Sequence, residues 1–199
     1  LANPVAIAVA IVATVITLID MPYAKYFEGA QFVHFLLGTA TVALAVPIYK
    51  GLAALRGRIL PLLAALLAGG VTSIVSAVGI ATLFGADAAI IGGFYSNSLP
   101  APIAMGVAQS IHVSPTLTAV FAVTTGILGA ILVRFVLDAV GSKAWWQRGF
   151  ALGSAAHGIG TSRAFSVHPE AGTYASLGMG LHGVLGAVLI PLAVRNLGV

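Results

Sequence analysis

The sequence predicts an all-α fold: a polytopic transmembrane helical bundle with discontinuous or re-entrant helices. Three observations carry that expectation. Hydrophobic residues make up 59% of the 199 and charged residues 7%, against roughly 25% charged in an ordinary soluble domain. The uncharged runs 3–19, 30–49, 59–86, 88–133 and 171–194 approach or exceed the roughly 20 residues of helix that cross a bilayer core. Glycines and prolines interrupt several of these runs beside small hydroxyl residues, where a plain membrane span needs neither.

The elements follow in order. A first helix over 3–19 tolerates Pro4 in its opening turn, where the missing N–H has no intrahelical partner to lose. Asp20, Pro22, Lys25 and Glu28 mark a loop, and a second helix runs from Ala30 to Tyr49. The loop 50–58 carries Lys50, Arg56 and Arg58 with no acid, a cytoplasmic signal by the positive-inside bias. A third helix, from Ile59 to Phe84, contains Gly69, Gly70 and Gly79 and is expected to tilt or bend.

The block 88–133 is long enough for two spans, but Ser96-Asn97-Ser98-Leu99-Pro100-Ala101-Pro102 breaks it. Two close prolines each remove a donor and clash with the preceding turn. Broken backbone at that depth persists only where protein buries it or a polar cavity receives it. The stretch 88–111 therefore reads either as one discontinuous crossing helix or as a re-entrant pair of half-helices. Re-entry puts the basic loops 50–58 and 138–148 on one side; a full crossing separates them. Asp138, Lys143, Trp145, Trp146 and Arg148 form that second basic, aromatic loop.

The segment 154–163 holds Ser154, His157, Gly158, Gly160, Thr161, Ser162 and Arg163. A charged side chain in hydrocarbon costs about 2.5–3.5 kcal/mol even on lenient scales, so Arg163 marks a functional site with an expected partner. Its planar fork of donors fits a carboxylate, and the hydroxyls and His157 can read further polar groups. A half-helix beginning near Pro102 would aim its positive end at the first break, with Asn97 and Ser98 beside it. Gln31, His34 and Gly38, with Thr39 and Thr41, place a polar stripe on the second helix. His112, His168 and His182 read as ordinary residues, the last within a glycine-rich helix built for packing.

The chain reads as one domain over 1–199, with candidate inverted-repeat halves near 1–87 and 88–199. A shift of 88 residues pairs Gly38 with Gly126 and Gly70 with Gly158, and so sets Gly69 to Ser73 against His157 to Thr161. Paired interruptions in two halves point to a transporter binding site.

The sequence contains no HExxH, GxSxG or phosphate-loop motif, so an enzyme is not expected. Without cysteine there is no thiolate site, and the scattered histidines predict no metal; no cofactor and no nucleic-acid partner are expected. Nothing at Leu1 resembles a cleavable signal peptide.

Gly29-Ala30-Gln31-Phe32, Leu37 to Leu44, Pro47-Ile48-Tyr49-Lys50, Pro102-Ile103-Ala104-Met105, Leu117 to Val120, Thr125 to Ala130 and Ala155 to Ala164 together resemble the LrgB/CidB family, over nearly the whole chain. That family also includes the membrane domain of the plastid glycolate/glycerate translocator. The resemblance implies two alternatives in the bacterial inner membrane. One is a carrier of small monocarboxylates of the glycolate, glycerate, lactate and 3-hydroxypropionate class, working by alternating access. The other is a holin- or antiholin-like regulator of murein hydrolase export and lysis, acting with a small LrgA/CidA-type partner. A two-protein transporter and a homo-oligomer are compatible with either. Where the family pattern usually reads Pro-Lys-Ser-Val-Thr-Thr, this chain has Ser96-Asn97-Ser98-Leu99-Pro100-Ala101. That loses a cation and two hydroxyls, and shifts the expected anion contact onto Arg163. The two breaks, 95–102 and 157–163, are expected to meet at mid-depth.

Overall fold

The computed structural model describes residues 3–43, 46, 49, 51–55 and 57–197, and among them the regular elements are all helical. Helix α1 (Pro4–Leu18) starts where the Asn3 side chain accepts from the Val5 N–H at 2.9 Å, the usual N-cap geometry. It ends before Asp20, whose φ is 48°. Helix α2 (Tyr23–Ala43) begins earlier than the charges suggest. Lys25 and Glu28 ride on its first turns, so the expected loop over 20–28 shrinks to the few residues around Pro22. A short 3-10 turn (Leu52–Leu55) precedes helix α3 (Ile59–Leu83). Gly69, Gly70 and Gly79 sit inside an unbroken α3, which removes the proposed interruption at 69–73.

Helices α4 (Ala88–Gly93) and α5 (Ala101–Ser110) form the first broken pair. Asp87 caps α4 by accepting from the Ile90 N–H at 2.9 Å. Helix α6 (Pro115–Ala139) follows, capped by Ser114. Helix α7 (Trp145–Phe165) starts within the expected basic loop, so Trp145, Trp146 and Arg148 belong to its first turn. Helix α8 (Pro169–Leu197) closes the described chain. Among the described residues, helices α3, α6 and α8 are the ones long and apolar enough to cross a membrane, fewer than the uncharged runs suggest.

Part of that difference has a structural reason, because two segments enter and turn back. A Cβ built on Gly92 would lie 2.6 Å from Val113, and the rings of Phe94 and Phe121 stack at 4.1 Å. Deeper in, the Ser96 hydroxyl donates to the Ala104 carbonyl at 3.3 Å. The start of α4 and the end of α5 therefore lie at one level, and 88–110 is a hairpin. Its tip residue Asn97 meets Ser73 of α3 and Thr125 of α6. Ser73 is ten residues from Leu83, and Thr125 ten from Pro115. At 1.5 Å per residue that is about 15 Å, half of a hydrocarbon core of about 30 Å.

Helix α7 does the same from the other end. His157 has φ 42° and ψ −130°, which no helix accommodates, and the chain reverses there. A Cβ on Gly160 would lie 2.8 Å from the Leu152 carbonyl oxygen, eight residues back, a contact a continuous helix cannot make. Gly149 and Gly153 lie so close to Ala171 and Ala175 of α8 that a Cβ on either would strike a carbonyl oxygen. Segment 145–156 thus runs in beside α8, and 158–165 runs back out to meet the start of α8, with Trp145 stacked on His168 at 4.8 Å.

Single cysteines introduced into this cysteine-free chain test the hairpins. Asp87→Cys and Ser114→Cys are expected to label with an impermeant maleimide from one side. Ser142→Cys and Val167→Cys are expected to label together from the other. Labelling of Asp87→Cys and Ser114→Cys from opposite sides would replace the first hairpin by a full crossing.

Candidate functional site

Both hairpin tips rest on one turn of α6. His157 Nε2 lies 2.8 Å from the Ala122 carbonyl oxygen; a carbonyl only accepts, so this nitrogen carries the proton and donates. The ring lies over Gly126, where a Cβ would sit 2.6 Å from Cε1. Three residues along from Ala122, Thr125 Oγ1 accepts from Asn97 Nδ2 at 3.5 Å, and Ser73 Oγ donates to Asn97 Oδ1 at 3.4 Å. Helix α8 closes the cluster. His182 Nε2 lies 3.0 Å from Ser98 Oγ, with both residues buried.

The close contacts follow from glycines on α8. A Cβ at Gly178 would meet the Phe150 carbonyl oxygen at 2.6 Å, one at Gly183 would meet Ile103 at 2.8 Å, and one at Gly186 would meet Leu99 at 2.5 Å. The expectation that this glycine-rich helix is made for packing holds, and what it packs against is both hairpins. His182 itself was read as an ordinary packing residue, and the structure instead puts it at the meeting point of the tips. Its sequence signal was its position between Gly178 and Gly183, in the stripe that seats the broken segments.

A groove of about 490 Å³ leads to this cluster between α3 and the first half of α7. Trp146 and Gln147 stand at its outer end, Gly69 and Ser154 along its walls, and Ser98 and His182 at its floor. Among the described residues no Lys, Arg, Asp or Glu lines it. Arg58 is near the mouth, donating to the Tyr174 hydroxyl at 2.7 Å with its guanidinium 4.9 Å from the centre of the Trp146 ring. At the opposite end the groove is shut by the tip of the first hairpin and the cluster of Leu99, Ala104, Val107, Ala122 and Ile190.

The residues singled out in the sequence divide into two groups. Asn97, Ser98, His157 and Thr161 are buried at or beside the tips, Thr161 donating to the His157 carbonyl at 2.8 Å. Pro102 lies in the first turn of α5, and Gly158 and Gly160 form the return limb of the second hairpin. Arg163 and Ser162 do not join them. Both are exposed, and the guanidinium lies 3.3 Å from Ser166 Oγ, in a separate cavity with Arg134, Asp138, Lys143 and Arg148. Arg163 is therefore not the cation beside both breaks. It sits near the end of the return limb because the chain turns back at His157, and six residues of hairpin carry it outward. Gln31 and Thr39 are exposed on α2, away from the tips, and the Thr39 hydroxyl returns to the Leu36 carbonyl. The side chains of His34 and Thr41, the burial of Gly38, and the loop residues Lys50 and Arg56 lie outside what the structure describes. Thr125 and His182 are the site residues the sequence did not single out, while Ser73 lay in the 69–73 stretch that the repeat pairing set against 157–161. Among the described residues no group of three His, Cys, Asp or Glu is arranged around a common point for a metal.

The LrgB-like family model matches residues 1–196. The chain belongs to the LrgB-like family. "Holin-like protein CidB" of Staphylococcus epidermidis is 29% identical over 98% of this chain and 85% of its own length. The CidB of Staphylococcus aureus is 27% identical over 96% and 84%. YxaC of Bacillus subtilis, described as uncharacterized, is 31% identical over 96% and 83%. No solved structure matches the chain. This LrgB-like protein is thus a membrane protein akin to holin-like proteins.

Gly153→Val tests the seating of the second hairpin on α8. It is expected to destabilise the protein by about 1–3 kcal/mol through overpacking, read as a lower melting temperature in detergent. Gly69→Ala, where a Cβ meets nothing within 4 Å, is expected to leave that temperature unchanged. Equal melting temperatures for both variants would remove the close approach.

Proposed function

We propose that this LrgB-like protein carries small monocarboxylates across the inner membrane by alternating access. The observation that carries the reading is the pair of broken helices that approach from opposite ends and put Ser98, Thr125 and His182 at the floor of one groove, with Asn97 bonded to Thr125 beside it. Irregular backbone at mid-depth, backed by half-helix ends, is how secondary transporters hold a substrate against water on alternating sides. A passive lesion has no use for it.

The opposed hairpins also favour an inverted repeat, with α3 and the first hairpin as one unit and α6 and the second hairpin as the other. These units are offset by about 56 residues, since α3 starts at Ile59 and α6 at Pro115. That replaces the 88-residue pairing, which set a hairpin against the continuous α3. Arg58, Arg134, Lys143, Arg148 and Arg163 all belong to the end where the groove opens, which makes it the cytoplasmic end by charge bias.

The groove's chemistry suits a short hydroxy acid. Neutral donors at the floor reach a carboxylate and a hydroxyl, while Phe150, Leu62 and Ala65 on the walls accept a carbon chain of two or three atoms. Glycolate, glycerate, lactate and 3-hydroxypropionate share those features. The names of the staphylococcal relatives favour the second reading, a holin-like regulator acting with an LrgA/CidA-type partner.

Uptake of labelled glycolate into proteoliposomes separates the two. Saturable flux that unlabelled glycerate competes for supports the carrier. Leakage of unrelated solutes up to a size limit supports the holin-like reading and ends this one. Asn97→Ala is expected to raise KM about tenfold, the loss of roughly one hydrogen bond to a charged group. Arg163→Ala is expected to leave KM within about twofold, as for a surface change far from the site.

A further inference from the structure

We propose that His182 carries the proton that travels with the substrate anion, and that Ser98 couples the two by reversing its hydrogen bond. The inference rests on the carrier reading. Among the described residues the groove floor holds no cation, so a carboxylate arriving there meets an apolar site with no fixed positive charge from them. Two histidines stand close enough to supply one. His157 is committed, because its Nε2 proton is held by the Ala122 carbonyl and its ring is pressed onto Gly126. His182 opens on the groove and contacts a hydroxyl, a partner that can either donate or accept.

That difference is the device. With the ring neutral and Nε2 bare, Ser98 spends its O–H on the histidine and offers an approaching anion only lone pairs. Once Nε2 is protonated it must donate, so Ser98 accepts and its own O–H is released to the carboxylate. Proton and anion then favour each other at one hydroxyl, and the pair moves without net charge.

The surroundings leave the role to His182. Segments 59–83 and 88–110 contain no charged residue. Facing it, α3 contributes Gly70 and Ser73, the first hairpin contributes Ser98, and α6 contributes Thr125. Tyr95 turns into the Leu99 cluster. From α7 come Ser154 and His157, the second being the ionisable neighbour whose charge would act on His182. Arg148 is held by Asp138 at 2.7 Å, and Arg58 stays at the mouth on Tyr174.

The test uses the full chain in proteoliposomes with labelled glycolate, comparing counterflow with accumulation driven by an inward proton gradient. In the wild type, KM for counterflow is expected to rise about tenfold per pH unit once the pH exceeds the point at which the histidine loses its proton, because the anion then has to recruit that proton on binding. In His182→Asn, gradient-driven accumulation is expected to disappear while counterflow continues with a KM independent of pH. Accumulation that persists in His182→Asn overturns the assignment. So does loss of counterflow in both His182→Asn and His182→Gln when both elute as the wild type does, because the ring would then be part of substrate binding. Absence of any wild-type counterflow overturns the carrier reading itself, and this inference with it.

Discussion

The structure depends on finding partners for backbone that leaves the helix inside hydrocarbon. A peptide group left unpaired there costs several kcal/mol, and this chain leaves the helix twice at depth. It solves the problem by bringing both interruptions to one turn of α6. At the first tip, tight turns bond Tyr95 N–H to the Gly92 carbonyl and Leu99 N–H to that of Ser96, while the Ser96 hydroxyl reaches Ala104. At the second, the Thr161 hydroxyl takes the carbonyl of His157, and the imidazole fixes itself to Ala122. A non-glycine residue at φ 42° is held at a cost of about 1–3 kcal/mol, which a charge-free hydrogen bond and a close-packed ring help to offset.

The glycines of α6 and α8 follow from that arrangement. A hairpin cannot deliver its tip to mid-depth unless the long helices let it approach; Gly126, Gly183 and Gly186 each sit where a side chain would push a tip away, and Gly178 where one would push the inbound limb of the second hairpin. In lipid the driving force for such contacts is close packing rather than expulsion of water. Small residues therefore set the geometry of the polar cluster as directly as its polar residues do.

The fold class was legible because hydropathy and proline punctuation are strong one-dimensional signals. The break at 95–102 announced itself through Pro100 and Pro102. Span number was not legible. A half-helix of ten residues that returns to its own side leaves the same uncharged run as a crossing helix, and only contacts such as Ser96 with Ala104 distinguish them. Arg163 was misjudged for a related reason: the segment was taken as one unit, whereas a reversal at His157 separates residues six apart by most of a half-membrane. His182 could not be found by composition, because its meaning lies in Ser98, 84 residues away.

The lack of a cation among the described floor residues has a physical consequence for the proposed carrier. Hydrogen bonds to a charged group contribute about 1.5–3 kcal/mol each, so two or three neutral donors offset the several kcal/mol of desolvation that a buried carboxylate incurs. A fixed arginine at the same floor would add a permanent Coulomb attraction in a low-dielectric site and favour retention over release. Conduction through a membrane needs a site favourable enough to fill and weak enough to empty. On the carrier reading, a floor of hydroxyls, with positive charge available when His182 takes up a proton, meets both demands. The cations then have a separate place at the rim, where Arg58 can draw anions toward the groove without holding them in it.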